Sequence, residues 1–367
     1  MKLFQSLLVA PAALGLLSPT VANATELNLN AISGYSQEKF DLDSNSFKSH
    51  PVKNSLLLSG GEGLVETSEE TTEETSMEAF STTTTASFGS TFYVGAVEES
   101  AAEAVTFSYD FGMDLSTSFT GEDSFDVAII GGNAAGTSVD GYMGGDDTTD
   151  ALVLDGVSYT FPLGSATVIV GDGVGVDDMN TGACAYSAFT DLLGDCGTSN
   201  VGGSADSAIA IGYDFGNGFT IAAGAGGGTG TDGFFTEEDA STIGLEAAYT
   251  ADTYGISVAY TNDDDVSEYL SFQGMLAPEG FPSISVGFET EEDADAASYF
   301  AGLTFDEVGP GSVSLGYAEA LTGSDSQYEL SYSYPLNDGV TITPGVFVAE
   351  TAGDDETGIV VTTSFSF

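Results

Sequence analysis

The chain has 367 residues, with 48 Gly, 24 Phe, 16 Tyr and no Trp, and 57 acidic residues against four basic ones give it a formal net charge of −53. The four are Lys2, Lys39, Lys48 and Lys53, so positions 54–367 carry no Lys or Arg. Without cations to neutralise phosphate, nucleic-acid binding is excluded. The length admits two ordinary domains or one large barrel. Gly with aromatic and β-branched residues suits many short strands joined by tight turns. A halophilic soluble protein would share the acidity, and a soluble sandwich much of the composition.

Met1-Lys2, the apolar stretch Leu3 to Leu17 and the small-x-small site Ala22-Asn23-Ala24 read as a secretory signal peptide over 1–24, with Thr25 as the mature N-terminus. Residues 25–84 are expected to be a largely disordered periplasmic segment. Ser59-Gly60-Gly61 is a flexible string, and Glu62 to Glu78 carries seven glutamates among Ser and Thr. The alternative for this segment is a tethered acidic arm that binds cations.

From 85 to 367 the pattern changes to short alternating runs, the signal of half-buried strands. Clear ones are Phe88/Ser90/Phe92/Val94, Val105/Phe107/Tyr109, Leu115/Thr117/Phe119, Ile243/Leu245/Ala247/Tyr249, Ile256/Val258/Tyr260 and Tyr328/Leu330/Tyr332/Tyr334. Their connections fall into two alternating classes. One is tight and rich in Gly or Pro, as at Pro162-Leu163-Gly164, Phe215 to Gly218, Asp252 to Gly255, Pro278 to Gly280, Gly309 to Gly311 and Asn337-Asp338-Gly339. The other is acidic and often longer: Val174 to Ser204, Gly226 to Ala240, Asn262 to Val266, Glu289 to Ala296 and Glu350 to Glu356. Short periplasmic turns opposite longer external loops are the pattern of transmembrane β-barrels. Tyr109-Asp110-Phe111-Gly112 recurs as Tyr213-Asp214-Phe215-Gly216, and Ser158 to Leu163 recurs loosely as Ser331 to Leu336. These repeats place aromatics at strand ends before tight turns, where a bilayer interface would hold them. The expected fold is an all-β, transmembrane antiparallel barrel of 16 strands, with 18 as the alternative because Gly131 to Ser138 blurs the alternation. Such a barrel leaves an aqueous channel.

The chain ends on Ile359, Val361, Thr363, Phe365 and Phe367 at alternate positions. This tail resembles the assembly signal of bacterial outer-membrane barrels, which implies Phe365 and Phe367 as recognition residues for the barrel-assembly machinery. The leader with Glu26 to Asn30, the run Phe80 to Ala86, the segments Ser118 to Ser124 and Ser158 to Gly164, and the stretches Tyr332 to Pro344 and Asp354 to Phe367 are similar to cyanobacterial outer-membrane porins. That family is grouped with carbohydrate-selective and iron-uptake porins. The resemblance implies an outer-membrane location, a homotrimer and a passive channel for small ions and solutes. Family members carry an S-layer-homology domain between leader and barrel. Here Ala31 to Glu78 is too short for it, which puts wall anchoring in doubt.

Cys184 and Cys196 lie close together in an exported chain and are expected to pair. The loop they close, Gly173 to Gly203, is the candidate constriction, with Asp177, Asp178, Asp191 and Asp195 as the groups that would attract cations. The alternative leaves this loop outside the barrel, protecting its surface. The clusters Asp146-Asp147, Asp263-Asp264-Asp265 and Asp354-Asp355 lack EF-hand spacing and read as solvated loop charge, with weak cation association as the functional alternative. His50 is the only histidine, so no Ser-His-Asp triad can form in the barrel. No enzyme, cofactor or resident metal is expected. The reading is a porin for passive diffusion of small hydrophilic solutes and inorganic ions that favours cations. Its alternatives are a non-conducting structural or surface-interaction barrel and a secreted acidic sandwich.

Overall fold

A computed structural model describes residues 84–98, 104–198, 207–227, 241–264, 267–293, 295–321, 325–350 and 355–367. The expected leader and all of the acidic segment except Thr84 lie outside these residues. Sixteen strands follow one another in chain order. The first eight are β1 (Thr84–Glu98), β2 (Thr106–Thr117), β3 (Ser124–Gly132), β4 (Val153–Leu163), β5 (Ala166–Asp172), β6 (Ser207–Asp214), β7 (Phe219–Gly227) and β8 (Ser241–Ala251). The rest are β9 (Tyr254–Asp263), β10 (Ser267–Leu276), β11 (Ser283–Glu291), β12 (Ala296–Val308), β13 (Gly311–Glu319), β14 (Ser326–Asn337), β15 (Val340–Glu350) and β16 (Asp355–Ser366). A single helical turn, α1 (Asp140–Met143), sits in the connection from β3 to β4.

Each strand pairs antiparallel with its chain neighbours, and β1 closes the ring on β16. Closure removes the free sheet edge that a membrane could not tolerate. The closing ladder runs from Gly89 opposite Ser366 to Glu98 opposite Thr357. It is finished by reciprocal backbone bonds between Phe88 and Phe367, of 2.8 and 3.0 Å. Their rings stack at 5.6 Å, and Phe92 meets Phe365 at 5.4 Å.

The alternation is inverted relative to a soluble protein. On β8 to β10 the large residues Ile243, Leu245, Ile256, Val258, Leu270 and Phe272 stand exposed, while Thr242, Glu246, Ser257, Thr261, Ser271 and Gln273 are buried. The same split holds on β14, with Tyr328 and Leu330 outside and Gln327, Glu329 and Ser331 inside. An apolar outer face on a closed sheet is stable only against lipid. Aromatics gather toward both ends of this face. Phe288–Tyr299 and Tyr317–Tyr328 pair near one rim, and Tyr213–Phe215, Tyr249–Tyr254 and Tyr332–Tyr334 pair near the other. Along β9 and β14 the two levels, Tyr254 to Tyr260 and Tyr328 to Tyr334, are six residues apart, or roughly 20 Å of strand.

Every tight turn expected from Gly and Pro joins strand ends on the rim that also holds both ends of the barrel, and every acidic connection joins ends on the opposite rim. One turn on the terminal rim, 118–123, is organised by a carboxylate. Asp123 Oδ1 accepts from the Thr120 and Phe119 N–H groups at 2.8 and 2.9 Å and from Ser118 Oγ, and Oδ2 accepts from Tyr159 Oη at 2.7 Å. These donors, led by the Thr120 N–H, hold the acid well below its ordinary value.

The repeated tetrapeptide does not mark the same place twice. Tyr213 to Gly216 ends β6 at a turn, with Gly216 and Gly218 both at positive φ. Tyr109 to Gly112 lies inside β2, whose ladder with β1 continues through Leu115 and Thr117. The next residues make the difference: Asn217-Gly218 supplies a second left-handed residue, whereas Met113-Asp114-Leu115 continues the alternation. The runs at 105–109 and 115–119 are therefore parts of one strand, with Phe119 already in the turn.

Candidate functional site

The connection from β5 to β6 runs from Gly173 to Asp206, and its described part, to Thr198, folds into the barrel. Val174 and Val176 start it as an apolar anchor with Ala208 and Ile169. Its backbone then crosses the inner wall on a series of polar side chains. Glu246 on β8 accepts from the Thr181 and Gly182 N–H groups at 2.6 and 2.8 Å. Gln273 Oε1 on β10 accepts from the Ala183 N–H at 2.7 Å, and Ser285 Oγ on β11 from the Ala185 N–H at 2.9 Å.

On β14, Glu329 is 2% exposed and accepts from four donors. They are the hydroxyls of Tyr186 and Thr190 and the N–H groups of Phe189 and Thr190. A carboxylate without cations is stable at such depth only when its lone pairs are filled. Burial, then the charge of Glu329, pushes the Tyr186 hydroxyl far above its ordinary value, so it stays a donor.

Glycines on the wall give the loop room. A Cβ at Gly287 would overlap the Cys196 carbonyl, one at Gly316 the Tyr186 hydroxyl, and one at Gly345 the Phe189 ring. Two small hydrophobic clusters sit here: Leu193, Cys196, Phe300 and Ala318 form one, and Val97, Val139, Phe189, Phe347 and Val360 the other.

Cys184 and Cys196 are bonded, with Cα atoms 5.9 Å apart. The bridge braces a sharp reversal in the 3-10 segment Asp191–Gly197, where Asp195 (φ 45°), Cys196 (φ 54°) and Gly197 (φ 67°) are left-handed in succession. Two of these are non-glycine, an arrangement that persists only when its surroundings impose it. The wall does so through Gln273 Nε2 to the Asp195 carbonyl at 2.8 Å and Ser298 Oγ to the Gly197 carbonyl at 2.9 Å.

Three of the four loop aspartates line two clefts that share Asp195, and Asp178 lines neither. Asp177 and Asp195 line a polar cleft of about 330 Å³ with Glu246 and Gln273. Burial, and then the charge of Asp195, raises the Asp177 carboxyl above its ordinary value; burial and Asp177 do the same to Asp178. Asp191 and Asp195 line a second cleft nearer the rim. The loop's side-chain-mediated bonds go to β7, β8, β10, β11, β12 and β14. The facing stretch of β2 and β3 carries Asp114 and Asp126 on the inward side, opposite Ala128 and Ser116 in register. Both described walls thus present carboxylates, and 54–367 contains no Lys, Arg or His to oppose them. The anchors Glu246, Gln273 and Glu329 were missed from sequence. Size alone does not single them out, since Glu289 and Gln327 are equally long polar side chains at inward positions.

A closed 16-strand sheet with an apolar exterior, a polar interior and a connection folded into its lumen defines a transmembrane β-barrel of the bacterial outer membrane. In three dimensions the chain is similar to Pseudomonas putida OprB, with a TM-score of 0.61 and 13% identity over 78% of this chain and 94% of that one. It is also similar to variants of the porin of Rhodopseudomonas blastica, one at a TM-score of 0.56 and 14% identity, another at 0.55 and 13%, each over 77% of this chain and 100% of that one. No protein-family model and no curated protein matches the sequence.

Proposed function

We propose that the chain is an outer-membrane channel through which small hydrophilic solutes and inorganic ions diffuse passively, with cations favoured. The observation that carries this reading is the disulfide-braced connection inside a polar barrel whose described walls hold carboxylates and no cation. An uncompensated negative lining concentrates cations and repels anions in a narrow passage. The resemblance to cyanobacterial porins adds sugars to the candidate solutes and a homotrimer as the assembly. Asp177, Asp178, Asp191 and Asp195 are the proposed selectivity groups, and Phe365 and Phe367 the proposed signal to the assembly machinery.

The test is single-channel conductance of the purified protein in a planar bilayer, with the reversal potential read across a KCl gradient. Stable steps with a cation-favouring potential are expected. Steps favouring anions would keep the channel and remove the role given to the acidic loop. A folded, heat-modifiable barrel with no steps would turn the reading to a structural barrel.

A further inference from the structure

We infer that a cleft at the rim opposite the termini is a binding subsite for small organic cations that carry a hydrogen-bond acceptor beside their ammonium group. The inference names a solute class for the proposed channel and, in that role, rests on the channel reading. The cleft, of about 350 Å³, lies between α1, the segment Asp191–Gly197 and the ends of β13 to β15. The lining residues that matter are Tyr142, Asp191, Asp195, Asp325, Gln327 and Glu350.

Four of these six are carboxylates, in a region of the chain with no cationic side chain. Among the described residues no group of three or more His, Cys, Asp or Glu could hold a metal ion. Carboxylates spread in this way suit a larger cation rather than a compact divalent one. Tyr142 contributes an aromatic ring, which attracts an ammonium group over its face. The ring is fixed by its hydroxyl bond to Glu356 Oε2 at 2.6 Å and by packing on Phe347 at 4.6 Å between centroids.

The second, independent observation is Gln327. It is 3% exposed, and its amide nitrogen has no hydrogen-bond partner. A buried donor left unpaired is costly, and such groups are rare unless a ligand or water completes them. This donor repels a bare cation and calls for an oxygen. The complementary ligand therefore has an ammonium for the carboxylates and ring and a hydroxyl or carbonyl for Gln327.

The test compares ethanolammonium with propylammonium, which have equal charge and nearly equal shape and differ by a hydroxyl in place of a methyl. Isothermal titration is run on the folded full chain in detergent at low salt. Ethanolammonium is expected to bind about fivefold more tightly, the value of one added hydrogen bond. Gln327→Leu should bring the ratio to about one without weakening propylammonium, and Asp325→Asn with Glu350→Gln should weaken both. Equal affinities in the wild-type chain, no binding of either amine, or a preference that survives Gln327→Leu would overturn the subsite. The wild-type comparison decides even if the leucine variant fails to fold. Discriminating binding by a chain that shows no conductance would support the subsite while removing the channel; conductance without binding would overturn the subsite alone.

Discussion

Glu329 shows how one side chain can set the position of a loop that shares no chain neighbourhood with it. Its carboxylate gathers two backbone N–H groups and two hydroxyls from a segment about 140 positions away. Removing it leaves those donors buried and unpaired, at about 1–3 kcal/mol each. Glu329→Ala should therefore fold, because the β13–β14 and β14–β15 ladders are backbone bonds that the substitution does not touch. Single-channel recordings should show a larger and noisier conductance as the loop leaves its seat. Glu329→Gln, which keeps the shape but replaces one acceptor by a donor, should fall between the two. An alanine variant with wild-type conductance would show that the loop is held without this contact. In the sequence Glu329 is only the polar partner of Tyr328 and Leu330 in a clean alternation. Nothing local distinguishes a carboxylate that meets a loop from one that meets water.

Among the elements, the sixteen strands and the division of their connections between two rims were legible, because both are written locally. Side-chain alternation sets the strand faces, and Gly-rich pairs such as Asn217-Gly218 set the turns. The β5–β6 connection is singled out as the candidate constriction, with a position outside the barrel as the alternative, and the sequence does not decide between them. Its seat is distributed over strands from β7 to β15, through glycines, serines and three long polar residues that come together only when the sheet closes. The disulfide was readable from two nearby cysteines in an exported chain, but the reversal it braces was not, since Asp195 and Cys196 give no local sign of a left-handed backbone. A cross-link over this separation of 12 residues restricts the open loop by about 3 kcal/mol. Reduction, or the paired change Cys184→Ser with Cys196→Ser, should leave the heat-modifiable barrel intact. It should make the loop, and only the loop, more sensitive to protease added from the rim opposite the termini. Equal cleavage rates before and after reduction would assign the loop's order to the wall contacts alone.

For the whole molecule the governing fact is a negative interior without counter-charge, so pH and salt should act on selectivity together. Asp177 and Asp178 are raised above their ordinary value of 3.8, first by burial and then by neighbouring aspartates. A raised carboxyl binds its proton at a higher pH in the folded state than in the unfolded one. The folded barrel thus takes up more protons as pH falls through this range, and that contribution to stability grows on acidification and declines as pH rises. Selectivity moves the opposite way, since each proton removes a charge from the passage. The cation-favouring reversal potential should begin to shrink at a pH above 3.8, while thermal unfolding of the barrel shifts upward over the same interval. Salt supplies the control. The Debye length falls from about 10 Å at 0.1 M to about 3 Å at 1 M, so the neutral-pH preference should be smaller in the stronger solution and its pH dependence flatter. Asp177→Asn should diminish this response at low salt without abolishing it, because burial still raises Asp178. A reversal potential that holds constant from neutral pH down to about 4, near the ordinary aspartate value, would show that permeating ions do not sense these two aspartates.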